Sequence, residues 1–170
     1  MGERKRRNRL AEPAERGRPH APGYGIRTDA NGLLPWSFVE ERMAAAHEYW
    51  VATVHPDGQP HLTPVWGLWV DGVFYFGSGP GTRKARNLAE NPNVAVHPEG
   101  EDVVILEGVA EAITDPDPAL SERVYAASVA KYGMGSHRIE GSYAVRPRVA
   151  FAWTGLVLTQ TATRWVLGDD

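Results

Sequence analysis

Aromatic and β-branched runs separated by turn residues dominate the chain after residue 48 and indicate β-strands. Residues 49–55 (YWVATVH) form the first run, which ends at the turn-forming Pro56-Asp57-Gly58. Residues 61–70 (HLTPVWGLWV) form the second run. Asp71-Gly72, a strong hairpin signal, then precedes the return run at residues 73–77 (VFYFG). The pattern predicts three antiparallel strands between residues 49 and 78.

Pro64 interrupts the second of these strands. Proline has no N–H to donate to a strand ladder, so it belongs at a sheet edge, a bulge or a bend. The sheet is therefore expected to be irregular beside Thr63, Val65 and Trp66. Irregularities of this kind are common near functional sites, and a barrel corner explains this one equally well.

Three segments carry helix signals. Residues 37–47 follow Pro35, which suits a first helical turn, and residues 83–90 follow Thr82, a good N-cap. Residues 119–132 form the third segment, which ends at Gly133. The inward-facing residues expected in the first two helices are Phe38, Met43, Ala46, Ala85, Leu88 and Ala89.

Further strand-like segments lie at residues 94–97, 103–113, 148–154 and 163–167. Six or seven strands with short helices predict a mainly β fold, a small antiparallel barrel with α inserts. Residues 1–32 are expected to form a basic, flexible N-terminal arm, and residues 33–170 a single folded domain.

The composition narrows the classes of function. The chain has 170 residues, 42% of them apolar and 23% charged, and it has no cysteine. The lack of cysteine excludes disulfide scaffolds, cysteine-ligated metals and thiol catalysis. No window approaches the roughly 20 apolar residues of a membrane span, and no secretory signal follows the basic N-terminus. A cytoplasmic protein without a membrane span is expected.

The net charge of −3 hides an uneven distribution. Residues 1–18 contain seven basic residues and three glutamates, whereas the rest of the chain is net acidic. A basic arm can attract nucleic acid or anionic membrane, but a solvated tail rich in proline and glycine explains the same residues. Because the acidic body offers no basic surface, we expect no nucleic-acid partner.

Residues 78–88 (SGPGTRKARNL) carry the strongest chemical signal. They follow a strand, contain two glycines and lead into a helix that carries Arg83, Lys84 and Arg86. Backbone N–H groups and the positive end of a helix favour an anion there. The spacing matches neither the Walker motif nor the GxGxxG motif of dinucleotide-binding proteins. A glycine turn before a solvated basic helix explains the segment equally well when it is taken alone.

Other candidate sites are weaker. His55, His61 and His97 lie near strand ends, but no carboxylate stands at ligand spacing, so no metal site is predicted. Ser121, Glu122 and His137 match no known nucleophile pattern.

Residues 50–96 resemble the split β-barrel flavin and deazaflavin oxidoreductases, the superfamily of pyridoxamine 5'-phosphate oxidase. The resemblance is carried by ATVHPDGQPHLTPVW, the VDGVFYF hairpin, GTRKARNL with NPNVAV after it, and the late RVAFAW strand. It extends over residues 49–167 and is most similar to the branch that binds coenzyme F420. It implies a split β-barrel of the FMN-binding type, with six to seven antiparallel strands.

In this superfamily two chains pack their barrels together and hold the cofactor in the groove between them, so the resemblance implies a homodimer. The residues implied beside the cofactor ring are His61, Thr63, Pro64, Val65 and Trp66. Those implied at the phosphate are Ser78, Gly79, Thr82 and the main cation Lys84, supported by Arg86 and Asn87. Trp153 and Arg164 would approach from the late strands, with the partner chain as one source.

The implied function is hydride transfer from F420 to a conjugated or quinone-like small molecule. Between His61 and Ser78 there is no arginine or lysine, so the basic strand that holds the FMN phosphate in pyridoxamine-phosphate oxidase is missing. FMN is therefore the alternative cofactor, and a non-catalytic carrier of F420 or haem is the alternative function. No catalytic residue is assigned, since Tyr75, His61 and Tyr143 are equal candidates for the proton donor. The segment at residues 131–133 indicates a glycine-capped helix end or, alternatively, a loop over the cofactor groove.

Overall fold

A computed structural model of the chain describes residues 13, 15–135 and 138–168. Most of the basic run at residues 1–18, and His137, lie outside the described residues. The strands are β1 (Glu15–Gly17), β2 (Tyr49–Val54), β3 (Pro60–Val65), β4 (Gly67–Val70), β5 (Val73–Gly77), β6 (Asn93–Pro98), β7 (Val103–Ala112), β8 (Ser142–Trp153) and β9 (Thr163–Val166). The helices are α1 (Trp36–Ala45), α2 (Arg83–Glu90), α3 (Pro118–Tyr132) and α4 (Leu158–Thr161).

All strand pairs are antiparallel, and their main order is β1-β9-β8-β7-β6-β2-β3. The long strand β8 divides the sheet. Its first residues pair with β5 and its last residues with β9, while β7 pairs along its other edge. The expected mainly β fold with short helices is confirmed. The described residues form nine strands rather than six or seven, because β1 is added and the predicted second strand is two strands.

The break near Pro64 separates β3 from β4. β3 lies at the sheet edge and pairs only with β2, with Pro64 opposite Trp50, so the missing N–H costs no ladder bond. The prediction of one strand over residues 61–70 was wrong: the chain leaves β2 at Trp66, and Gly67 pairs instead with Phe76 of β5. A Cβ atom on Gly67 would stand 2.3 Å from the Phe74 ring, so this crossing requires glycine.

Two apolar cores flank the β4–β5 hairpin. The barrel core includes Phe74, Phe76 and Trp165, and the second core includes Tyr75 and Val124 of α3. Successive residues of a strand face opposite sides, so β5 supplies Phe74 and Phe76 to one core and Tyr75 to the other. The second core attaches α3 to the hairpin.

The helices begin and end close to the predicted residues. Thr82 caps α2 by accepting a hydrogen bond from the Ala85 N–H, and Gly133 ends α3 in the left-handed region at φ 71°. Ala46 is buried as expected. The expectation that Ala89 faces inward was wrong, because the buried side of α2 is formed by Lys84, Ala85, Asn87 and Leu88.

The described part of the N-terminal arm contacts the barrel. Residues of β1 pair with β9, and the Arg18 guanidinium donates hydrogen bonds to four backbone carbonyl oxygens. These carbonyls belong to Asp29, Asn31, Gln160 and Ala162. The domain boundary at residue 33 stays a prediction. Among the described residues, no helix has the length and apolar character that a membrane crossing needs.

Candidate functional site

Hydrogen bonds within residues 78–86 fix the shape of the loop before α2. The hydroxyls of Ser78 and Thr82 lie 2.8 Å apart, and the Arg86 guanidinium donates to the carbonyl of Gly81 at 2.8 Å. A Cβ on Gly81 would meet no atom within 4 Å. The glycines therefore leave an uncovered surface beside the first turn of the helix, where free N–H groups favour an anion.

Lys84 is a mostly buried residue whose ammonium group is not among the fully buried unpaired atoms. Its residue is 8% exposed, and its ammonium lies 5.9 Å from the centre of the Phe76 ring. Within the described residues it has no ion pair or hydrogen bond, and burial lowers the pKa of Lys84 below the ordinary lysine value. Because the ammonium is partly desolvated and has no counter-charge among the described residues, an anion supplied from outside would stabilise this side chain.

Asn87 lies one turn further along α2 and is fully buried. Its amide nitrogen donates to the Thr53 hydroxyl on β2 at 3.0 Å, while its Oδ1 atom has no hydrogen-bond partner. The buried hydroxyl of Thr63 on β3 is also without a partner. The third unpaired buried atom among the described residues is the Trp165 Nε1 atom in the barrel core. Buried polar atoms are nearly always paired, so the unpaired oxygens of Asn87 and Thr63, which lie on the same side of the sheet, fit a missing ligand.

Strand register places the predicted β3 residues on two faces. His61 pairs with Thr53 and Thr63 with Val51, and paired residues share a face, so His61, Thr63 and Val65 face the α2 side. Pro64 lies on the opposite face, opposite Trp50. The structure thus brings His61 and Thr63 to the same side as Asn87 and does not bring Pro64 there.

Trp66 stands at the break between β3 and β4 and is 57% exposed. Its ring stacks on Tyr132 of α3, with centroids 4.9 Å apart and planes 6° from parallel. The Tyr132 hydroxyl accepts from the Gly67 N–H at 3.0 Å and lies 2.8 Å from the His47 carbonyl. The end of α3 is therefore both a glycine-capped helix end and a support for Trp66.

Lys131 is a half-buried cation beside this support. Its ammonium donates to the Tyr49 hydroxyl at 2.7 Å and to the Ala46 carbonyl at 2.9 Å. Burial lowers its pKa to about 8, and burial raises the pKa of Tyr49. Unlike Lys84, this lysine has protein acceptors, so its position indicates a structural contact.

The three histidines considered as metal ligands do not converge. His55 and His61 have ring centres 5.8 Å apart, whereas His97 is bonded to the Val104 carbonyl and pairs with Trp50. In the part of the chain that the structure describes, no group of three histidine or acidic residues is placed to hold a metal ion.

The open face of the sheet is apolar. Trp50 and Leu62 are 41% and 59% exposed there. With Ala52, His97 and Ile105 they line a groove of about 460 Å³. A connected apolar surface of this kind is typical of an interaction face.

Trp153 and Arg164 lie on β8 and β9, with three and four strands respectively between them and β3 in the sheet order. One chain thus does not bring them to the β3 residues. Sequence reasoning missed Thr53, Phe76 and Tyr132, because their roles arise from cross-strand pairing and from the packing of α3. Alternation along β2 was the one signal that could have found Thr53.

A family model described as pyridoxamine 5'-phosphate oxidase matches residues 38–156. A conserved hypothetical protein from Mycobacterium tuberculosis is 24% identical with a TM-score of 0.62, over 78% of this chain and 92% of that one. An F420 reductase is 25% identical with a TM-score of 0.51, over 65% and 94%. An FMN-binding protein from Nostoc punctiforme is 16% identical with a TM-score of 0.55, over 81% and 93%.

A haem-binding protein from Mycobacterium smegmatis also has this fold, at 21% identity and a TM-score of 0.58 over 73% of this chain and 56% of that one. No curated protein matches the chain. Because proteins with three different bound groups share the architecture, the fold alone does not select a cofactor.

Proposed function

Because this chain belongs to the pyridoxamine 5'-phosphate oxidase family, we propose that it is a cytoplasmic oxidoreductase that uses coenzyme F420 to transfer hydride to conjugated or quinone-like small molecules. Family membership confirms the split β-barrel fold expected from the sequence. The observation that carries the proposal is Lys84, a mostly buried residue with no counter-charge among the described residues, on the same helix as Asn87 with its unpaired Oδ1 atom.

These residues fit a phosphate-bearing deazaflavin. Lys84, with Ser78, Gly79 and Thr82, would hold the phosphate at the first turn of α2. Arg86 would support this loop through its bond to the Gly81 carbonyl. The unpaired Asn87 oxygen accepts hydrogen bonds, so it suits an O–H or N–H group of the cofactor. His61, Thr63, Val65 and Trp66 would lie along the ring, with Pro64 shaping the strand from its other face.

A bound reduced deazaflavin supplies the hydride from ring carbon C5, and the protein supplies position, dryness and electrostatics. The structure separates the three candidate proton donors. Tyr75 belongs to the second core, on the face of β5 that points away from Lys84. Tyr143 stacks on Phe76 at 5.4 Å, and His61 shares a face with Thr53. We therefore prefer Tyr143 and His61 over Tyr75 as donors.

A second copy of this chain is the proposed cover for the open apolar face. The groove beside Trp50 and Leu62 lies directly behind β3, the strand proposed to carry the ring. Covering it would remove these side chains from water, which is the main driving force for association. A homodimer would also supply Trp153 or Arg164 from the partner, as the resemblance implies.

FMN is the second candidate, supported by the FMN-binding neighbour. Two observations favour F420: the F420 reductase has the higher identity, and residues 62–77 carry no cation for a second phosphate contact. A non-catalytic carrier of F420 or haem shares the same binding prediction and differs only in turnover.

Titration of purified protein with F420, FMN and haem tests the proposal. We expect saturable F420 binding by fluorescence, tighter than FMN, and oxidation of reduced F420 when a quinone such as menadione is added. A dissociation constant for F420 above about 100 μM would refute the cofactor assignment. Tight binding of F420 with no turnover of any quinone or conjugated acceptor would favour the carrier.

A further inference from the structure

A separate cavity of about 170 Å³ lies between the β4–β5 hairpin and α3. Its walls are mostly aromatic and aliphatic, with two serines at its edge. The side chains used below are Trp66, Tyr75, Phe76, Ser128, Tyr132 and Ser142.

The lining selects an uncharged ligand. None of the described residues that line the cavity carries a formal charge. Burying an ion there would therefore be unfavourable, whereas a planar apolar molecule would contact the rings of Trp66, Tyr75 and Tyr132. An apolar cavity of about 150 Å³ accommodates a benzene-sized molecule, so this volume suits one ring, or two rings that reach the open side.

The cavity adjoins the proposed cofactor site at two points. Trp66 follows the last residue of β3, and Gly77 precedes Ser78 of the phosphate loop. The cavity lies on the face of β5 that carries Tyr75, while Lys84 lies over Phe76 on the other face. A molecule in the cavity would thus lie apart from Lys84 and share with the proposed cofactor site the side chain of Trp66.

The aromatic wall is fixed before any ligand arrives. Tyr132 stacks in parallel on Trp66, and its hydroxyl is bonded to the Gly67 N–H and lies 2.9 Å from the Gly67 carbonyl. A wall held in this way loses little side-chain freedom on binding, which increases affinity.

We propose that this cavity is the acceptor pocket, which binds an uncharged planar aromatic molecule of one or two fused rings. The proposal rests on the function proposed above, since the cavity is useful for hydride transfer only beside a bound cofactor. Ser142 would contact a carbonyl or hydroxyl group of such a molecule, whereas Ser128, whose hydroxyl donates to the Met134 carbonyl at 2.8 Å, could accept only from a hydroxyl group.

The first experiment measures binding of 2-naphthol to the cofactor-free protein by calorimetry. The Ser128→Leu variant places a larger apolar side chain in the cavity, and Ser142→Val tests the opposite wall on β8. The matched control is Ala126→Leu, which adds the same side chain to an exposed position of α3 outside the cavity. Circular dichroism establishes that each variant is folded.

We expect Ser128→Leu to raise the dissociation constant of 2-naphthol at least tenfold and Ala126→Leu to change it less than twofold. The negatively charged 2-naphthoate should bind the wild-type protein at least tenfold more weakly than 2-naphthol. The pocket assignment would be overturned if both serine variants bound 2-naphthol as tightly as the control variant, or if 2-naphthoate bound the wild-type protein as tightly as 2-naphthol.

The second experiment separates the pocket from the cofactor assignment. Ser128→Leu should leave the F420 dissociation constant unchanged and raise the KM for menadione at least fivefold. If neither the wild-type protein nor any variant binds F420, the proposed function is overturned, whereas the measured binding of 2-naphthol to the cavity is unaffected. Unchanged KM in a protein that binds F420 would overturn the pocket alone.

Discussion

Replacing Lys84 by methionine should weaken cofactor binding without destabilising the folded protein. Lys84 is 8% exposed and has no protein counter-charge within the described residues, so the folded state keeps a partly desolvated cation without an ion pair. Methionine has a similar length and suits a buried, irregular position. The unfolding free energy of the cofactor-free variant is therefore expected to equal or exceed that of the wild-type protein.

The loss of affinity follows from the contact removed. A hydrogen bond to a charged group contributes about 1.5–3 kcal/mol, and every 1.4 kcal/mol is a tenfold change in affinity. Lys84→Met should thus raise the F420 dissociation constant by about 10- to 150-fold. The matched control is Arg83→Met, the preceding residue, which is exposed and should change the constant less than about threefold.

Thermal unfolding with and without F420 measures, in one assay, the stability of each variant and the stabilisation that the cofactor adds. At a cofactor concentration 100 times the wild-type dissociation constant, binding stabilises the wild-type protein by about 2.7 kcal/mol. A variant with 50-fold weaker binding would gain only about 0.6 kcal/mol under the same conditions. Undiminished stabilisation of Lys84→Met, or an equal loss in Arg83→Met, would refute the role of this lysine.

Four further predictions address the fold and the assembly. Asn87→Leu should destabilise the protein by about 1–2 kcal/mol, since it leaves the Thr53 hydroxyl buried without its donor, and a double-mutant cycle with Thr53→Val should show coupling in chemical denaturation. Leu62→Asp should convert a dimer to a monomer in light scattering, whereas Leu156→Asp, at a fully exposed residue, should not. Gly108→Ala should destabilise by more than about 2 kcal/mol, because its Cβ would stand 2.1 Å from the Arg146 carbonyl oxygen, while Gly17→Ala meets no atom and should be close to neutral in the same melt. Lys131 has a folded pKa of about 8, below its unfolded value, so the unfolded state binds more protons than the folded state above pH 8. The unfolding free energy of the wild-type protein should therefore rise by about 1 kcal/mol from pH 8 to 10. The Lys131→Met variant should lack that rise.

Local signals in the sequence were enough to predict most helices and strands. The hairpin at Asp71-Gly72 and the cap at Thr82 are formed by neighbouring residues, so their positions follow from short-range chemistry. The first half of β8 was missed because Pro147 argues against a strand. The structure accommodates this proline beside a bulge in β8, where Pro147 pairs with Gly108 and Val149 with Glu107, and only the pairing with β7 reveals it.

Only the part of the candidate site that depends on neighbouring residues could be predicted from the sequence. The spacing of residues 78–88 indicates an anion-binding helix start, but it does not show that Lys84 faces inward. That orientation depends on Asn87 reaching Thr53 across the barrel, a contact between residues 34 positions apart. The unpaired oxygens of Asn87 and Thr63 are likewise properties of packing, so no sequence pattern contains them.

The break at Trp66 and Gly67 relates the two proposed sites to each other. Because β3 ends at Val65, its inward residues face α2, and the chain is free to cross to the hairpin that borders the second core. Gly67 permits this crossing by lying against Phe74, and Tyr132 fixes it from α3. A single interruption therefore places one aromatic residue, Trp66, at the end of the proposed cofactor strand and at the wall of the proposed acceptor pocket. A continuous strand over residues 61–70 would have kept these two surfaces apart.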